Sequence, residues 1–252
     1  MRCLAIDVGN SSAAMAVVSG RNVRGVRHVR GGMDAADDVN AALSDMLAGV
    51  NVDGAVLCSV VPSSNRRWSK MIQRHVGNTP LIVNHKIELG VKIDYPAPAS
   101  IGPDRLANAC GAVARFGAPV IVADFGTALT FDVVNADATY IGGVISPGLP
   151  LMTDYLADRT ELLPMISIKG RCGNVGRSTE GAMRIGAHIG YRGMVREIVE
   201  HLKAGMGLND IALCATGGYA KWVLSGAGAE LPFVVEPNLT LFGLGRIFEL
   251  NH

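Results

Sequence analysis

The chain has 252 residues, 49% hydrophobic and 18% charged, with basic and acidic residues balanced to a formal charge of +1. That supports a sizeable core, in one large domain or two of half the length, and excludes intrinsic disorder. Near-neutral charge without a dense Lys/Arg block gives neither nucleic acid nor a membrane surface an electrostatic footing, so neither is expected as a partner. Five scattered cysteines (Cys3, Cys58, Cys110, Cys172, Cys214) form no Cys-x-x-Cys pair. They predict reduced thiols rather than a disulfide framework or a zinc site. Only Arg2 precedes the first apolar stretch, which Asp7 soon interrupts. That is no signal-peptide pattern, and no run of about 18 apolar residues follows to span a bilayer, so a cytoplasmic protein is expected.

In chain order, 3–6 and 13–18 read as strands around the polar turn 7–12, and Val23, Val26 and Val29 mark a third strand. Over 34–50, Val39, Ala42, Leu43, Met46, Leu47 and Val50 share one helical face, with Asp34 as a cap. The apolar run 54–61, closed by Pro62, reads as a buried parallel strand. A polar helical segment and a strand at 80–84 come next. Three prolines make 94–105 a constrained loop without regular structure. Pro103 opens a helix striped by Leu106, Ala109, Cys110, Val113 and Ala114. Phe-Gly-Ala-Pro at 116–119 ends it and places a domain boundary between 1–116 and 117–252.

The second half restarts the same programme. A strand at 120–124, a turn at 125–128 and a strand at 129–134 precede another strand from 139 that runs into a Gly/Pro loop. A long helix over 180–203, a strand with a glycine turn at 212–220 and a helix near 240–250 complete the chain. Alternating strands and helices define an α/β protein. The likeness of the two hairpins predicts two similarly built halves with a cleft between them.

Both hairpin turns carry an acid, a glycine and a hydroxyl: Asp7, Gly9 and Ser11 in one, Asp124, Gly126 and Thr127 in the other. Either alone is ordinary turn chemistry. Repeated, they suit a polyphosphate, since backbone N–H groups and hydroxyls bind phosphate oxygens while carboxylates hold the accompanying cation. No Walker loop, dinucleotide fingerprint or His-Glu-x-x-His is present, so a phosphate site has to be of this two-hairpin type. Asp104 stands in the first turn of its helix beside Arg105, where helix dipole and cation predict an ionised carboxylate able to accept a proton. An acid that only supports the helix start is the alternative. The six histidines (His28, His75, His85, His188, His201, His252) show no ligand spacing. Gly142, Gly143 and Gly148 read as a loop that lets the second hairpin pack closely, with a direct ligand contact as the alternative. Gly181, Gly186, Gly190 and Gly193 mark either close helix packing within the subunit or a dimer seam.

The paired hairpins and the later Ala-Thr-Gly-Gly-Tyr-Ala turn resemble the acetate kinase/sugar kinase/heat-shock protein 70/actin superfamily. Read in order, DVGNSS, SVVP, YPAPASIGPDRLAN, DFGTALTFDVV, GGVISPGL, GRSTEGAMRIGAHIG, TGG and LTLFGLG closely resemble the type III pantothenate kinases, from residue 4 to about 250. The resemblance implies two duplicated ribonuclease H-like (actin-like ATPase) domains. It also implies transfer of the ATP γ-phosphate to the primary hydroxyl of pantothenate, giving 4'-phosphopantothenate for coenzyme A biosynthesis. Asp104 then matches the general base, and Tyr95, Gly102, Pro103, Asp104, Arg105 and Thr179 the pantothenate-binding positions. Asp7, Val8, Gly9, Asn10, Ser11, Ser12, Ala13 and Ala14 match the ATP-phosphate loop, with Thr127 a further ATP contact. Asp124 matches the position for potassium or ammonium, a divalent ion (Mg2+) accompanies ATP, and the family is homodimeric. Ser11, Leu129 and Ser178 depart from the usual pattern without removing a catalytic group. Another small-molecule kinase of the superfamily, or a nucleotide-sensing relative, are the alternatives.

Overall fold

The computed structural model describes residues 1–30, 36–170, 172–207, 210–225 and 231–252; the expected cap Asp34 lies outside them. The first elements are β1 (Arg2–Val8), β2 (Ser12–Ser19), β3 (Asn22–Arg30), α1 (Ala36–Leu47), β4 (Gly54–Ser59), α2 (Asn65–Val76), β5 (Leu81–Ile82), β6 (Lys92–Ile93) and α3 (Pro103–Phe116). Then come β7 (Val120–Phe125), β8 (Ala128–Val134), β9 (Thr139–Pro147), α4 (Leu149–Thr153), α5 (Tyr155–Arg159) and α6 (Thr179–Met206). The chain closes with β10 (Ala212–Thr216), α7 (Ala220–Val223), β11 (Val234–Val235) and α8 (Leu239–Leu250). The loop expected to lack regular structure contains one 3-10 turn, Pro98–Ser100, where proline presets the backbone.

By contacts the chain forms two units, one of Met1–Pro119, Val134–Gly142 and Asn238–His252, the other of Val120–Val133 and Gly143–Pro237. In the first, the sheet order is β3-β2-β1-β4-β5. β1, β2 and β3 pair antiparallel, whereas β4 and β5 add in parallel. β4 is buried at all six residues, as an unbroken apolar strand covered on both faces should be. Leu4, Ile6, Val8, Ala55 and Leu57 pack on Val39, Leu43 and Met46 of α1 and on Trp68, Met71 and Ile72 of α2. α3 packs against β4, and α8 against β1 and β2.

The expected division assigned residues 238–252 to the second half, whereas by contacts α8 lies in the first unit. Glycines make that packing possible. A Cβ on Gly243 would sit 1.9 Å from the Ala107 carbonyl oxygen, and one on Gly111 2.9 Å from that of Leu239, so α3 and α8 touch backbone to backbone. The sequence pattern marks a helix there without indicating its partner.

The second unit repeats the plan. The second sheet reads β11-β10-β7-β8-β9-β6, and its first five strands follow the arrangement β5-β4-β1-β2-β3, with β6 added at the edge. β7 and β10 pair in parallel with Asp124 opposite Thr216, as β1 and β4 do with Asp7 opposite Cys58. Ile121, Ala123, Phe125, Leu129, Phe131 and Leu213 form a core with Tyr191, Val195 and Val199 of α6. Leu129, one of the departures from the family pattern, is therefore core. Before α6, the Ile168 carbonyl accepts from Trp222 Nε1 at 3.2 Å and from His188 Nε2 at 3.0 Å. His188 Nδ1 is thereby left to accept from Arg192, 3.3 Å away, a structural histidine whose pKa is lowered first by burial and then by Arg192 and Arg184. All five cysteines are free, and burial pushes Cys3, Cys110 and Cys214 up to about 12. Among the described residues no helix is long and apolar enough to cross a membrane.

Candidate active site

In the first unit the site grows from the β1–β2 turn. Gly9 N–H donates to Ser12 O at 2.9 Å, and a Cβ on Gly9 would sit 3.2 Å from that oxygen. The Val8 carbonyl accepts from Val60 N–H at 3.0 Å, which ties the turn to β4. Asn10 and Ser11 stand exposed at the tip, Val8 and Ala13 are buried beneath, and Asp7, Gly9, Ser12 and Ala14 are half-buried. Directly across from Asp7 lies Cys58, fully buried, its side chain hydrogen-bonded to the Asp7 carboxylate. Burial first, then the charges of Asp7 and Asp104, push the Cys58 thiol well up, so it remains a protonated donor. Asp7 and Asp104, remote in sequence, thus bear on one thiol. The sequence gives no such signal for Cys58, which reads there as one of five scattered thiols.

Asp104 occupies the first turn of α3, after Gly102 as N-cap and Pro103. The Arg105 N–H donates to Asp104 Oδ1 at 2.9 Å and lies 3.0 Å from Gly102 O. The carboxylate folds back over Gly102, where an added Cβ would stand 2.4 Å from Oδ1. One oxygen does therefore support the helix start, as the alternative reading expected. The neighbours on the helix do not decide the direction of the shift. Burial raises the Asp104 pKa and outweighs the lowering by the Arg105 N–H and guanidinium. A carboxylate raised in this way is the stronger proton acceptor. Arg105 and Tyr95, both half-buried, lie against the ring of Tyr140, the guanidinium carbon 5.9 Å and the Tyr95 ring centre 6.3 Å from its centre.

In the second unit Gly126 N–H donates to Ala128 O at 3.1 Å, the counterpart of the Gly9 bond, and Thr127 is exposed at the tip. Gly148 backs this turn: a Cβ there would fall 2.0 Å from Thr127 O. Gly217, at φ +89°, lies on the Asp124 corner, where a Cβ would be 2.5 Å from Asp124 Oδ1 and 2.6 Å from Phe125 N. The missing side chain lets the Gly217 backbone lie close against the Asp124 carboxylate and the Phe125 main chain. Among the described residues no group of three or more His, Cys, Asp or Glu could hold a metal.

Thr179 is the exposed first residue of α6, and Ser178 Oγ accepts from Gly181 N–H at 3.1 Å. Serine there keeps the capping ability of Asn or Asp. A Cβ on Gly186, Gly190 or Gly193 would meet nothing within 4 Å, so close packing within the subunit does not explain these glycines. The first unit thus gathers the Asp7 turn, Asp104, Arg105 and Tyr95, and the second gathers Asp124 and Thr127, with Thr179 at the head of α6.

Two sheets of one strand order, each with an acid at the same step of its first hairpin, define a duplicated ribonuclease H-like fold, the class of actin-like ATPases and sugar kinases. The structure of (R)-2-hydroxyglutaryl-CoA dehydratase component A from Acidaminococcus fermentans matches with a TM-score of 0.57 at 12% identity, covering 100% of this chain and 98% of that one. An inorganic polyphosphate/ATP-glucomannokinase from an Arthrobacter species matches with a TM-score of 0.54 at 13% identity, covering 100% and 99%. Residues 3–201 match the family model described as type III pantothenate kinase. The type III pantothenate kinase of Akkermansia muciniphila is 46% identical over 209 residues, 83% of this chain and 84% of the relative. That of Thermomicrobium roseum is 34% identical over 260 residues, 99% and 97% of the two chains. The chain belongs to the type III pantothenate kinase family.

Proposed function

We propose that this protein transfers the γ-phosphate of ATP to the primary hydroxyl of pantothenate, giving 4'-phosphopantothenate and ADP at the start of coenzyme A biosynthesis. The observation that carries the reading is Asp104, raised in pKa by burial and fixed between Gly102 and Arg105. The alcohol oxygen bonds to the γ-phosphorus, the bond to the bridging oxygen breaks, and the hydroxyl proton passes to Asp104. Phosphoryl transfer asks chiefly for alignment and charge neutralisation. The 7–14 turn holds the ATP phosphates through its backbone and the Ser11 and Ser12 hydroxyls, Thr127 adds a contact, and Mg2+ accompanies the nucleotide. Arg105 takes the pantothenate carboxylate as a charge-assisted pair, and Tyr95 and Thr179 are assigned as further pantothenate contacts. Asp124 holds potassium or ammonium, which offsets phosphate charge. Five unpaired thiols fit a cytoplasmic site of action.

Coupled ADP release tests this directly. Adding pantothenate in potassium buffer should start turnover and yield 4'-phosphopantothenate, and replacing potassium by sodium should slow it by about tenfold or more. Equal rates in sodium would remove the role given to Asp124. ADP release only with a different alcohol would favour another kinase of the superfamily, and nucleotide binding without any product would favour a sensor.

A homodimer is the assembly we infer. α6 turns its open glycines outward beside Ile189, 64% exposed, and Ile145 on β9 is 65% exposed. Sedimentation should give a dimer for the native chain and a monomer for Ile189→Glu. A native monomer would sink the assignment.

A further inference from the structure

Arg105 and Tyr95 come from different segments, yet both rest on one ring. Tyr140, on β9, has no exposed surface. The Arg105 guanidinium carbon lies 5.9 Å from its centroid, and the Tyr95 ring meets it edge-on at 6.3 Å and 63°. Main-chain bonds fix the backbone that carries the ring. Lys92 and Ile93 of β6 pair in parallel with Thr139 and Tyr140, and Asp94 N–H donates to Tyr140 O at 2.9 Å. In the turn ahead of it, Asn135 Oδ1 accepts from the N–H groups of Asp137 and Thr139 at 3.0 Å each. Beyond it, Gly142 adopts φ +120°, and even a Cβ there would come within 3.4 Å of the Tyr95 ring.

We propose that Tyr140 is a positioning residue for the acceptor site: its buried ring, braced by Tyr95, holds the Arg105 guanidinium in place to grip the substrate carboxylate. This rests on the pantothenate kinase reading. An aromatic face attracts a guanidinium through its quadrupole, in a direction different from the in-plane one along which N–H groups bond a carboxylate. An arginine without such a support loses rotamer freedom when it binds. Tyr140 removes part of that loss beforehand, so its contribution belongs to acceptor binding and not to the chemical step.

The test compares native enzyme, Tyr140→Leu and Tyr140→Phe on pantothenate and on its alcohol analogue, in which CH2OH replaces the carboxylate. Tyr140→Leu should raise KM for pantothenate by about tenfold, while kcat, KM for ATP and KM for the alcohol analogue stay within about twofold. Tyr140→Phe, which keeps the ring, should restore KM for pantothenate to within about twofold of native. Tyr140→Met, which refills the buried volume, carries the same expectation should Tyr140→Leu melt below the assay temperature. An unchanged KM for pantothenate overturns the proposal, as does a parallel rise for both acceptors and ATP, which would mean general loosening. A native enzyme that phosphorylates neither acceptor would refute the pantothenate reading itself, and no Tyr140 variant can mimic that result.

Discussion

Asp104→Asn should lower kcat by about a thousandfold while leaving the protein folded, and more heat-stable than native at neutral pH. The substitution keeps the shape and an Oδ1 acceptor for the Arg105 N–H, which lies 2.9 Å from it in the native protein. KM values should therefore move little. What disappears is the proton acceptor, and positioned general bases supply factors of about 10² to 10⁴. The remaining rate comes from alignment of the two substrates.

Stability moves the other way because burial raises the Asp104 pKa. Between the ordinary carboxylate range and that raised value the folded state binds more protons than the unfolded one, so stability falls as pH rises. Above it the full cost of a buried charge persists, and Asn removes that cost. Melting curves at pH 8 should place Asp104→Asn above native, with the gap closing as pH drops below the ordinary carboxylate range. The acid limb of native kcat should likewise lie above that range. Near-native turnover in Asp104→Asn, or a lower melting point at pH 8, would remove Asp104 from its role.

The Asp104 case also shows where sequence reasoning stops. The helix start, Pro103 and the neighbouring Arg105 are local, so the lowering influences on the carboxylate could be read from order alone. Desolvation depends on what packs around it, and it decided the sign. The repeated hairpins were legible because alternation and turn residues are local, and the same holds for the long helix, expected over 180–203 and found as Thr179–Met206. α4, α5 and α7, of five, five and four residues, are too short to display a helical period. Cys58 and Tyr140 carried no signal because a thiol or an aromatic in an apolar strand reads as core. Only the register Asp7↔Cys58 and the ring contacts of Tyr140 give them a place in the site.

Gly148→Ala and Gly217→Ala should each cost on the order of 3 kcal/mol, roughly 6–12 °C in Tm, and lower kcat/KM for ATP by about a hundredfold in whatever folds. They reach the same turn by different routes. Gly148 has φ −73°, open to any residue, so its cost is contact alone: a methyl 2.0 Å from Thr127 O and 2.8 Å from Gly126 O, both backbone atoms that cannot swing aside. Gly217 adds conformational strain, since φ +89° disfavours any L side chain, to a methyl 2.5 Å from Asp124 Oδ1 and 2.6 Å from Phe125 N and C. Relief in either case moves the Asp124–Thr127 turn, where the cation and a nucleotide contact are assigned. Gly205→Ala is the control, because its methyl would meet nothing within 4 Å in α6 and should stabilise by about 0.5–1 kcal/mol. The two routes separate in the potassium titration. Gly217→Ala crowds the carboxylate itself and should raise the potassium concentration for half-maximal rate more than Gly148→Ala, which displaces the Thr127 end of the turn. Native Tm and native ATP kinetics in Gly148→Ala would mean that the turn is not held by this contact.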